Sequence, residues 1–194
     1  LNIGVTHYKT GDYPKSFEHL WKSHRFGVEG DWTHRQCVAN IALGNVYRLT
    51  RDFEAARRHL HTAYNQAQEV QFPREEALAL EFLGDVYRDE DQPEQARRFY
   101  ARALAIGMKI DPEGDIVMEV QRRVGECHMM EDKPGLARKE LEQALTMARA
   151  QGDRFEEAVI QRVMADNDIK VGDLVSARKN LDDSVIILAD IGAR

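Results

Sequence analysis

Seven histidines and two cysteines stand among 33 acidic residues in this 194-residue chain, and their spacing limits the chemistry they can do. His59 and His61 lie two positions apart, which on a helix turns their side chains about 200° away from each other. They cannot share a ligand. Cys127-His128-Met129-Met130 gathers soft metal-binding atoms in one run, but helix neighbours fan out by about 100° each, so the four do not converge on one ion. Asp89-Glu90-Asp91 and Asp182-Asp183 fall at a turn and on an exposed helix face. Paired catalytic carboxylates need environments that split their pKa values, and these runs read as solvated charge. No phosphate-cradling glycine loop, Gly-x-Ser-x-Gly elbow or His-Glu-x-x-His occurs. The chain reads as non-catalytic, with no cofactor and no metal.

One basic feature recurs. Arg57-Arg58, Arg97-Arg98, Arg138-Lys139 and Arg178-Lys179 share one register. Stacked, they would form a stripe able to meet an acidic partner or nucleic acid. Glu54 and Glu94 stand four residues before Arg58 and Arg98, where helix ion pairs form. A net charge of −6 works against nucleic acid. The stripe reads as ordinary solvated charge.

The elements that would carry these residues follow from a repeat. Leu43-Gly44-Asn45-Val46-Tyr47 returns as Leu83-Gly84-Asp85-Val86-Tyr87, more faintly as Val124-Gly125-Glu126-Cys127-His128, and then as Met164-Ala165. Ile3-Gly4-Val5 opens the series. The anchors 4, 44, 84, 125 and 165 lie 40, 40, 41 and 40 apart. A fixed period of this size marks a repeat array. Small residues recur twelve positions after the anchors (Ala56, Ala96, Ala137, Ala177), and large ones after sixteen (Leu60, Tyr100, Leu141, Leu181). Mid-helix glycine costs about 1 kcal/mol relative to alanine, so its recurrence at one register calls for close helix approach.

Apolar positions follow the 3.6-residue period throughout and no segment alternates like a strand. The chain is expected to be all-α. Helices are expected at about 1–10, 13–28, 33–50, 53–70, 74–89, 93–109, 115–131, 134–150, 154–171 and 173–191, joined by loops short enough to force antiparallel packing. The extra residue of the 41-step is expected at Asp111-Pro112. A hydrophobic content of 43% with 31% charge suits a folded, water-facing protein. No apolar run reaches membrane-spanning length. Two cysteines ninety positions apart form no disulfide framework, and a cytoplasmic setting is expected. The chain opens as if cut inside a helix and is expected to be a segment of a longer protein. We divide residues 1–194 as one array, with repeats at about 1–30 (truncated), 31–71, 72–111, 112–152 and 153–194.

The Leu-Gly pair, the tyrosine three positions on, the alanine at twelve, the large apolar residue at sixteen and the alanine at nineteen resemble the tetratricopeptide repeat family. The resemblance covers the whole chain and rests on spacing in the last repeat, where Ala165 replaces glycine and Asp168 tyrosine. The forty-residue step, with Gly152-Asp153-Arg154-Phe155-Glu156-Glu157-Ala158 and Arg74-Glu75-Glu76-Ala77 as helix starts, resembles the long-repeat arrays of bacterial signal-transduction and transcription regulators.

That resemblance implies a right-handed α-solenoid of antiparallel helix pairs, whose first helices line a concave groove for a protein or peptide. The groove register selects Asn45, Arg48, Glu81, Asp85, Arg88, Arg122, Glu126, Met129, Met130, Arg162 and Asp166. It further implies a sensory or regulatory module of a transcription regulator, of the sigma-54-dependent type. No membrane contact and no direct nucleic-acid binding are expected. The alternative is a self-associating scaffold, a homodimer formed through apolar end surfaces around Leu1, Ile3 and Val5 or Val185, Ile187, Leu188 and Ile191.

Overall fold

The structure, a computed structural model, describes residues 1–192, the side chain of Lys9 excepted. The last expected repeat, 153–194, lies partly outside them. Among the described residues all regular structure is helical: α1 (Asn2–Lys9), α2 (Tyr13–Glu29), α3 (Thr33–Leu49), α4 (Phe53–Glu69), α5 (Pro73–Asp89), α6 (Pro93–Ile110), α7 (Asp115–Met130), α8 (Pro134–Gln151), α9 (Arg154–Val171) and α10 (Leu174–Asp190). The expected bounds hold to within two residues. No helix is long and apolar enough to cross a membrane.

Helix ends follow local chemistry. Asp12, Asp52, Asp153 and Asp173 cap α2, α4, α9 and α10, each side chain accepting a backbone N–H three residues on. Pro73 and Pro134 open α5 and α8, where a missing N–H leaves nothing unmade. Most turns close on one left-handed residue followed by a backbone bond spanning five residues, as from Asp52 N–H to Tyr47 O at 2.9 Å. Gly11, Gly152 and Gly172 supply that conformation, but so do Asp31, Arg51, Gln71, Asp91 and Asp132. The turn after α6 differs. Residues 111–114 form it, and the extra residue sits there as expected.

The chain divides into two compact units, Leu1–Ile106 and Gly107–Arg194. In the first, α1 pairs with α2 and α3 with α4, α2 packs on α3, and α4 on α5. In the second, α7 pairs with α8 and α9 with α10, while α8 packs on α9. Each unit thus repeats the same antiparallel unit, with first helices adjacent: α3 with α5, and α7 with α9.

The pairs close on the anchor glycines. A Cβ on Gly44 would lie 2.8 Å from Leu60 Cδ2 and 3.3 Å from the Ala56 carbonyl. On Gly84 it would meet the Tyr100 ring, 2.6 Å from Cδ1, and on Gly125 it would meet Leu141 Cγ at 2.9 Å. Leu60, Tyr100 and Leu141 are fully buried. The last pair departs from this: Leu181, at the same register, is 39% exposed beside buried Ala165.

A second contact recurs three positions after the anchor, against the residue fifteen after it. His7 stacks on His19 at 5.5 Å, Tyr47 on His59 at 5.3 Å and Tyr87 on Phe99 at 5.0 Å. In the last pair Asn180 donates to Asp168 at 2.8 Å instead, which keeps the register after tyrosine has gone. Replacing Gly84 by Val should cost about 1–3 kcal/mol, because the Tyr100 ring cannot move without opening the pair. Denaturant unfolding checks this, and the loss should be less than additive with that of Tyr100→Ala.

Candidate functional site

The first-helix face of each unit carries the residues that the groove register selects. In the first unit it is a closed network. Arg48 donates to Asn45 Oδ1 from Nε at 3.1 Å and from Nη2 at 2.9 Å, and its Nη1 meets Asp89 at 2.5 Å. Arg88 reaches Asp89 at 3.3 Å and Asp85 at 3.2 Å. Asp85 is buried and accepts a hydrogen bond from the Tyr100 hydroxyl at 2.7 Å. Glu81, on the same face, is buried as well. The structure therefore brings Asn45, Arg48, Asp85 and Arg88 together, and joins them to each other more than it offers them outward.

Asp89 is the member that the sequence reading missed. It and Glu90 read as solvated turn residues, yet Asp89 ties α5 to α3 through Arg48, and Glu90 holds Arg57 of α4 at 2.5 Å. The signal was available as a basic residue in one repeat and an acid at a matching register of the next. The basic stripe meets the same fate. Arg58 pairs with Glu54 at 2.5 Å and Arg98 with Glu94 at 2.7 Å, while Arg138 bonds Asp168 and, at 3.0 Å, Glu142.

In the second unit, α7 and α9 divide the selected residues into two kinds. Arg122 is buried, bonds Glu126 one turn on, and donates through Nε to Glu156 at 3.1 Å. Glu156 reads from sequence only as a favourable charge at a helix start. Burial raises its carboxyl above the ordinary range, Arg122 pulls it back, and Glu119 pushes it up further. Arg123 is also buried, with Glu119 at 2.9 Å. By contrast Arg162 and Asp166 are exposed, as is Ile169, and their spacing places all three on one face of α9. Met129 packs half-buried against the core between α8 and α9, and Met130 is exposed. Lys170 donates to the Met129 carbonyl at 2.5 Å, holding the ends of α7 and α9 side by side.

Metal chemistry has no cluster to use: among the described residues no three His, Cys, Asp or Glu side chains are set to hold an ion. His59 Nδ1 lies 2.9 Å from Asn40 Oδ1, and burial lowers the pKa of His59 and of His61. Burial likewise pushes the Cys37 thiol up to about 12, which leaves it unreactive.

Helix pairs closed by glycine, with adjacent first helices bearing polar side chains, define a helical repeat protein. Residues 35–109 match the tetratricopeptide repeat family model. Over that stretch, 75 of the 194 residues, the chain carries tetratricopeptide repeats. Solved structures with this fold include BtubC (BKLC) from P. vanneervenii, at 17% identity and TM-score 0.75, covering 98% of this chain and 79% of that one. The apo form of RapI is similar at 10% identity and TM-score 0.71, covering 98% and 82%. So is aspartyl phosphate phosphatase F from Bacillus subtilis, at 14% identity and TM-score 0.74, covering 98% and 57%. At these identities the likeness shows the fold. No curated protein matches the chain in sequence.

Arg122→Ala should destabilise the second unit by about 1–3 kcal/mol at pH 7, since it leaves Glu156 and Glu126 without their shared cation. A carboxyl whose pKa is raised on folding stabilises the fold below its unfolded pKa, here the ordinary 4.5, and loses that contribution as pH rises. Removing Arg122 raises Glu156 further. The difference between variant and wild type should therefore be smaller at pH 4 than at pH 7, as read by denaturant unfolding at both.

Proposed function

We propose that the chain is a non-catalytic protein- or peptide-binding module whose ligand lies along the first-helix faces. The observation that carries this is the contrast within the second unit. Arg122 and Glu126 are turned to internal pairing, whereas Arg162, Asp166 and Ile169 are exposed on one face of α9, with exposed Met130 at the end of α7. An exposed cation and anion one turn apart can select a partner by charge pattern. Unbranched, polarizable methionine supplies an adaptable apolar contact. In the first unit Asn45, Arg48, Glu81, Asp85 and Arg88 shape the equivalent face.

The regulatory setting belongs to the same proposal: a sensory or regulatory part of a bacterial transcription regulator, of the sigma-54-dependent kind, working in the cytoplasm. The forty-residue step and the Gly-Asp-Arg-x-Glu-Glu-Ala helix start support it. A bacterial phosphatase with a similar fold agrees with that setting. A second reading, a self-associating scaffold, is favoured by the apolar outer face of α10, where Leu174, Val175, Val185 and Ile186 are exposed.

Long-range charge mainly sets encounter rate and specificity, so Arg162→Glu should weaken capture of a partner from cell extract, and more so at low salt. Ile169→Ala should weaken it to a similar extent at all salt concentrations. Unchanged capture by both variants would remove the α9 face from the binding site.

A further inference from the structure

The outer face of α10 carries a regular apolar seam. Leu174, Leu181 and Leu188 follow at seven-residue steps, with Val185 four residues after Leu181. Two helices pack along such a seam. Leu174 is 67% exposed and Val185 65%. Leu181 is the informative member. At its register Leu20, Leu60, Tyr100 and Leu141 are fully buried against an anchor glycine. Leu20, Leu60 and Leu141 are also covered by the first helix of the next pair, whereas among the described residues α10 packs on α9 alone and Leu181 stands outward.

The charges beside the seam say what covers it. Arg178 and Asp182 flank the leucines on one side, 3.7 Å apart within the chain. Set a second α10 antiparallel to the first, with the twofold axis at Leu181. Leu181 then meets Leu181, and Leu174 stands level with Leu188 of the other copy. Antiparallel helices bring the same flank of each together. At a rise of about 1.5 Å per residue, Arg178 of one copy lies within about 3 Å, along the axis, of Asp182 of the other. The contact forms twice by symmetry. A parallel pairing would set Arg178 level with Arg178 and Asp182 level with Asp182.

We propose that α10 is a homodimerisation helix, pairing antiparallel with α10 of a second copy about Leu181. The proposal rests on the self-associating reading and deepens it by fixing the helix, the axis and the charge pairs. The interface is isologous and closes at two copies, so it builds a dimer and no filament. A single helix pair falls at the small end of specific interfaces, so the dimer should dissociate on dilution within the micromolar range.

Sedimentation of the 194-residue chain across concentrations should show a monomer–dimer equilibrium. Leu181→Asp should weaken it at least tenfold, with helical circular dichroism and melting temperature kept, because the side chain is already partly in solvent. Oxidative crosslinking then tests the geometry. Leu181→Cys should form disulfide-linked dimers alone. Leu174→Cys should form them only when mixed with Leu188→Cys. The native thiols Cys37 and Cys127 are buried and should not contribute. A dimer in which Leu174→Cys crosslinks to itself, or Leu181→Cys does not crosslink, would overturn the pairing and leave self-association standing. A monomer at every concentration would overturn both.

Discussion

The contact on which the repeat depends is a missing atom. Where Gly44, Gly84 and Gly125 present bare backbone, Leu60, Tyr100 and Leu141 pack into the space a Cβ would need. Mid-helix glycine weakens the helix that carries it by about 1 kcal/mol. The burial of a leucine or tyrosine side chain offsets this, being worth about 1.5–3 kcal/mol. Gly4 and Leu20 make the same contact at the start of the chain. Ala165 takes the glycine's place in the last pair, where the pair still forms, and Leu181, with no further first helix over it among the described residues, is partly exposed.

Around that contact the second register adapts to whatever stands there. Stacked rings hold it in the first three pairs and an Asn180–Asp168 hydrogen bond in the last. Asp168 is wholly buried, and it is tolerated because Arg138 and Asn180 both reach it. Arg138 comes from the pair before, as Arg57 does where it meets Glu90. Arg57 and Arg138, thirteen positions after their anchors, thus work as struts between consecutive pairs, and their positive charge is largely cancelled where it lies.

The period, the helices and their ends were legible because each is written locally. Aspartate caps, opening prolines and glycine anchors declare themselves within a few residues. The turns at Arg51 and Gln71 were not legible, since neither residue favours a left-handed backbone and only the helices on either side impose it. The site was legible by half. Register alone places Asn45, Arg48, Asp85 and Arg88 on one face. It cannot say that Arg48 would close on Asp89, or Arg122 on Glu156, because those pairs cross from one repeat to the next. Nor does register foresee that Glu81 and Asp85 would be buried.

This distinction between paired and open charge bears on how such a face can recognise anything. An arginine already held by two carboxylates gives up those bonds before it can meet a ligand, so its net contribution to binding is small and its contribution to the fold large. Arg122 is of that kind, and Arg48 is held comparably by the Asn45 amide oxygen and the Asp89 carboxylate. Arg162 and Asp166 are exposed, and in the proposed binding role they would meet a partner without loosening the core. Specificity in a repeat array is therefore expected where the internal pairing lapses. Here it lapses on α9, the helix on which the glycine anchor lapses too, at Ala165.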